Sequence, residues 1–134
     1  FTIHYINKTT MKHKKVSLVD FKKLSLINSD IVKCIIDDVE LDSNKATDVF
    51  RHVASKTASS DIKQVINVNK IKNMRTNIPS KRMNFVDKNG TNMSMNRVGI
   101  KELLDATIHL VKLNKSSFKI EIKINKNETI AFSI

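Results

Sequence analysis

Four histidines, one cysteine and a short run of carboxylates are the side chains here that could do chemistry by themselves. His4, His13, His52 and His109 are scattered, with no His-x-x-x-His pair and no second cysteine, so zinc or iron ligation has no local support. Asp37, Asp38, Glu40 and Asp42 could hold magnesium for two-metal hydrolysis if other carboxylates converged on them. The simpler reading is a solvated acidic turn between helices. A metal-free ribonuclease would need a base, an acid and a cation, which His13, His52 or His109 with lysines could supply, but nothing in the spacing brings two histidines together. The two glycines form neither GxGxxG nor GK[ST]. No catalytic, metal or cofactor residue is therefore assigned. Cys34, in the apolar run IVKCII, reads as a buried reduced thiol, which favours an intracellular, reducing compartment.

The chemistry that the sequence does offer is charge. The chain carries a formal +11, and an excess of this size attracts polyanions and speeds encounter with them. It is also segregated: residues 30–61 hold seven acids against four basic side chains, whereas residues 70–101 hold eight basic side chains against Asp87 alone. The expected nucleic-acid contacts follow from this stretch and the helix before it. Lys70, Lys72, Arg75, Lys81, Arg82, Lys88 and Arg97 suit phosphates, and Lys63, Gln64, Asn67 and Asn69 suit base edges.

Two other classes of function compete with that reading. A non-enzymatic protein-protein interaction module, docking on an acidic partner or host factor, would show an exposed apolar patch or an unpaired edge on the terminal hairpin. An enzyme would require converging histidines or carboxylates. Lysine and asparagine are also inflated by an AT-rich coding genome, which hints at a phage or viral source. Five Asn-x-Ser/Thr matches, at Asn7, Asn89, Asn92, Asn114 and Asn127, are read as a consequence of the same composition. No uncharged apolar run reaches the roughly 18 residues of a membrane helix, so no membrane partner is expected.

The elements that would position these residues can be read from periodicity. FTIHYI alternates like a short strand. Ser17, with Asp20 three positions on, caps a helix beginning near residue 18 that is expected to break near Asn28-Ser29 and restart through DIVKCII. Ala46, Val49, Phe50 and Val53 share one face of a helix spanning about 44–56. A second helix at about 60–72 buries Ile62, Val65 and Ile66, although VINVNKI also alternates like a strand. After a turn at Pro79, Asn89-Gly90 marks a hairpin with strands at about 82–87 and 91–97, since both central residues of a tight primed turn need positive φ. A largely buried helix runs from Gly99. The terminal hairpin alternates Phe118, Ile120, Ile122 and Ile124, then Ile130, Phe132 and Ile134, and should pack on the helix before it.

Together these give one compact α+β domain over residues 1–134, read as a fragment of a longer chain because it opens on Phe1, with a soft internal boundary near 76–81. Helix, a turn of about four residues, helix and basic ribbon resemble a helix-turn-helix with a wing, and that resemblance is one of topology only. It implies a small regulatory or accessory protein that binds nucleic acid, duplex DNA ahead of RNA. The turn lacks the glycine often found in such motifs, and the scarcity of aromatics argues against a base-stacking platform.

Overall fold

The structure, a computed structural model, describes residues 12–26, 29–69, 71, 74–80, 83–96 and 98–134. In chain order the elements are β1 (Lys12–Lys15), α1 (Leu18–Lys23), β2 (Asp30–Ile36), β3 (Val39–Glu40), α2 (Ala46–Ala54), α3 (Ser59–Val68), β4 (Arg75–Thr76), β5 (Met83–Val86), β6 (Asn92–Met95), α4 (Ile100–Leu113), β7 (Phe118–Asn125) and β8 (Glu128–Ser133). The fold is α+β. Two compact units are present: residues 1–44 with 117–134 make unit 1, and the continuous stretch 45–116 makes unit 2. The expected strand at FTIHYI lies outside the described residues.

Unit 1 is a five-stranded sheet in the order β1-β8-β7-β2-β3, antiparallel except for β1 beside β8. Its helix begins as expected, with the Ser17 hydroxyl accepting from the Asp20 backbone N–H at 3.2 Å. Phe21 on that helix is fully buried and stacks on Phe132 at 5.0 Å between ring centroids. The apolar face of the terminal hairpin, with Phe118, Ile120, Ile122, Ile130 and Phe132 all buried, is thereby met by a phenylalanine of α1. Both outer edges of that hairpin are paired, β7 with β2 and β8 with β1, so strand addition there has no open edge.

The expected second helix at DIVKCII is instead strand β2. A register shift between Ile31 and Lys33 places an irregularity in the ladder with β7, so the buried residues fall at Ile31, Cys34 and Ile36. That first spacing of three imitates a helix, while four β-branched residues among the seven favour a strand. The acidic turn consequently joins strands and not helices. Asp37 and Asp38, at φ 49 and 66, form the two-residue link from β2 to β3, a primed-turn conformation that aspartate tolerates better than most residues.

Unit 2 packs α4 against α2 and α3, and sets a three-stranded antiparallel sheet, order β4-β6-β5, beside α2. Phe50 of α2 meets Phe85 of β5 edge-on, at 5.1 Å and 89°. Val49, Phe50, Val53, Ile62, Val65, Ile66, Leu103, Leu104 and Val111 are buried, which is the apolar pattern expected of these three helices. Helix α3 ends at Val68, short of residue 72, because Asn69 closes it: its backbone N–H and its amide both donate to the Val65 carbonyl. The strand alternative for 65–71 is set aside over the helical part of that range. Helix α4 ends in a Schellman arrangement, with Ser116 N–H on the Val111 carbonyl, Lys115 N–H on that of Lys112, and Lys115 at φ 54.

Candidate nucleic-acid interface

Helices α2 and α3 are separated by the four residues Ser55–Ala58, and Thr57 fixes that turn without a glycine. Thr57 is buried. Its hydroxyl donates to the Val53 carbonyl at 2.7 Å and accepts from the Asn114 amide at 2.8 Å, while its carbonyl accepts from the Lys88 N–H at 3.0 Å. None of the four turn residues needs a positive φ. The end of α4 and the turn of the β5–β6 hairpin are both fastened to this point.

The hairpin itself forms where Asn89-Gly90 indicates, with a different turn. Gly90 alone is left-handed, at φ 80; its N–H donates to the Asp87 carbonyl, and Asp87 N–H donates to the Thr91 carbonyl. This is the three-residue loop with a glycine bulge, not the two-residue primed turn. Asp87 is buried, and its carboxylate accepts from the Ser59 hydroxyl and from the backbone N–H groups of Asn89 and Thr91 at 2.9 and 2.8 Å. The hydrogen bond from Ser59 is the leading cause that holds its carboxyl below the usual range, against an opposing push from burial.

The exposed face of α3 carries Ser60, Lys63, Gln64 and Asn67, opposite buried Ile62, Val65 and Ile66. Among the described residues, the side chains of Lys63, Gln64 and Asn67 have no hydrogen-bond or ion-pair partner. Asn69 is different, since its amide is engaged by the Val65 carbonyl. Arg75 on β4 and Lys88 in the hairpin turn are exposed, and their side chains are unpaired among the described residues. Lys70, Lys72, Lys81, Arg82 and Arg97 lie outside the described residues. Of the basic side chains on α2, Arg51 is engaged within unit 2, with Nε donating to the Asn84 carbonyl at 2.8 Å and a guanidinium nitrogen on Asp48 at 2.7 Å.

Charge follows the same division. Residues 45–116 hold fourteen lysines and arginines against five carboxylates, a net +9, and the rest of the chain holds ten against eight, a net +2. Three of the five carboxylates in unit 2 are engaged internally: Asp48 by Arg51, Asp105 by Lys101 at 3.0 Å, and Asp87 as described. The sequence showed the excess of charge but not this removal of acids from play, which depends on contacts up to 28 residues apart.

No family model, curated protein or solved structure matches the chain. Among the described residues, no group of three or more histidine, cysteine, aspartate or glutamate side chains is placed to hold a metal ion, and no helix is long and apolar enough to cross a membrane.

Proposed function

We propose that the protein binds nucleic acid through unit 2, with duplex DNA as the favoured ligand, in a regulatory or accessory role. One observation carries the proposal: α3 presents Lys63, Gln64 and Asn67 free and side by side on a unit of net +9. Free amides and an amine on one helix face are what base edges and phosphates of a major groove require. In the sequence the β5–β6 hairpin follows the helix pair after the short strand β4, and the Ser59–Asp87 hydrogen bond fastens its turn to the start of α3, which supports reading it as a wing-like element. Among the described residues every phenylalanine is buried, so no exposed phenyl ring offers a stacking platform, and this favours a duplex over a stacked single strand.

The test is a salt series of binding to a labelled duplex by anisotropy. Each neutralised phosphate should contribute a slope of about −0.9 in log affinity against log salt. A flat dependence, or no binding at low salt, overturns the proposal.

A further inference from the structure

The face of the three-stranded sheet that turns away from Phe50 has its own construction. Arg75, Ser94 and Asn84 form one row across β4, β6 and β5, and Asn92 and Val86 form the next. Residues 77–80 fold over this face. The Ser94 hydroxyl donates to the Ile78 carbonyl, Asn77 N–H donates to the Asn92 carbonyl at 2.8 Å, and the Asn84 amide exchanges two hydrogen bonds of 2.8 Å with the backbone of Ser80. Between the loop and the strands lies a groove of about 380 Å³ lined by Asn77, Ile78, Pro79, Asn84, Val86 and Asn92, together with parts of Phe85 and Met93.

Its free groups are of two kinds. Among the described residues the side-chain amides of Asn77 and Asn92 have no hydrogen-bond partner, and Ile78 and Val86 are 50% and 39% exposed as apolar walls. Arg75, in the row beside the groove, and Lys88, two residues beyond Val86, are exposed cations without partners among the described residues. No carboxylate lines the groove, and the nearest in sequence, Asp87, is buried and engaged.

We infer that this groove holds one unpaired nucleotide of a single-stranded or looped segment. Its base sits between Ile78 and Val86, its edge pairs with the Asn77 and Asn92 amides, and its phosphate lies on Arg75 or Lys88. Two amides supply both donors and acceptors, as a base edge demands, and the two cations select an occupant that carries an anion. A peptide could fill the walls with an aliphatic side chain and pair its backbone with the amides, but an uncharged one would leave both cations unused. The volume is within the range of small-ligand sites. Without an aromatic ring the base gains no stacking energy, so a lone nucleotide binds weakly and the groove acts as an addition to a larger contact. The inference shares with the proposed function the class of ligand, but it uses a different face from α3.

The test is a titration of the full chain, followed by the side-chain NH2 signals of Asn77 and Asn92 in a ¹H–¹⁵N spectrum, with AMP, GMP, CMP and UMP in turn. Ribose 5-phosphate carries the same phosphate without a base and serves as the control. At least one nucleotide should shift both asparagine signals, and ribose 5-phosphate should not. Ile78→Asp, at a half-exposed wall, should weaken that nucleotide by about tenfold or more, because a hydrated carboxylate replaces the apolar wall against the base and opposes an anionic ligand. Unmoved asparagine signals with every nucleotide, or equal shifts with ribose 5-phosphate, overturn the inference. The duplex salt series is read separately: its failure beside a positive nucleotide titration removes the α3 proposal alone, and the converse removes the groove alone.

Discussion

The hydroxyl of Ser59 donates a hydrogen bond to the buried carboxylate of Asp87, and this contact ties the first turn of α3 to the turn of the β5–β6 hairpin. Asp87 also accepts from two backbone N–H groups of its own loop, so one carboxylate both shapes the hairpin turn and positions it on the helix pair. The local sequence DKNG supplies the first role, and only the fold supplies the second.

This gives stability a dependence on acid. The folded-state pKa of Asp87 is lowered, first by the Ser59 hydrogen bond, below an unfolded value near 3.8. A depressed carboxyl stabilises the fold fully above the unfolded pKa and loses that contribution as pH falls through the folded one. Urea unfolding of the native chain and of Asp87→Asn from pH 7 to pH 3 should show a less stable variant at neutral pH, with the gap closing below about pH 4. A gap of constant size would mean that the carboxylate charge has no part in the contact.

Left-handed positions give a second pair of outcomes with opposite signs. Gly90, at φ 80, has open space where a Cβ would be, so Gly90→Ala should lose about 1–2 kcal/mol from backbone strain alone. Lys115, at φ 54, occupies the Schellman position that glycine normally fills, so Lys115→Gly should gain about 1 kcal/mol. Gly99→Ala offers the contrast. A Cβ there meets the carboxylate of Glu102, an exposed and flexible side chain that can move aside, and the change should stay within about 0.5 kcal/mol. Thermal and urea melts of the three variants check the order.

Most of the secondary structure was legible because its apolar spacing is regular. Val49, Phe50 and Val53 mark α2, Ile62, Val65 and Ile66 mark α3, and Phe118, Ile120 and Ile122 mark β7. Strand β2 was not legible, since its register shift sets Ile31 and Cys34 three apart and so disguises the strand period. Strand β1, four consecutive basic residues, has no apolar face to betray it, and β4 is only two residues long. The groove was hidden for another reason: the loop crosses the sheet through the Ser94–Ile78 hydrogen bond, a contact 16 residues apart that no local pattern announces.

Cys34 provides a probe of unit 1. It is 1% exposed in β2, and burial pushes its thiol up to about 12. The thiolate is the reactive form, so a disulfide reagent at pH 8 should leave the folded chain unmodified and label it on unfolding in urea. Cys34→Ser should lose about 1–3 kcal/mol, because the new hydroxyl has to be desolvated among apolar neighbours. Rapid labelling of the native chain would show that β2 opens readily.

For α3 the decisive comparison is between its amine and its amides. Lys63 is an exposed, unpaired cation, so Lys63→Ala should weaken every duplex alike and reduce the salt slope by about 1. Gln64 and Asn67 are free amides on the same face, and Gln64→Ala or Asn67→Ala should leave that slope unchanged while narrowing the difference between preferred and scrambled duplexes by about 1–3 kcal/mol. Arg51→Ala supplies the control for indirect effects. Its guanidinium holds Asn84 and Asp48, so its loss should lower thermal stability before it changes the salt slope. Equal effects of all four substitutions on affinity, each in step with lost stability, would show that α3 acts as scaffold and that the contact surface lies elsewhere on unit 2.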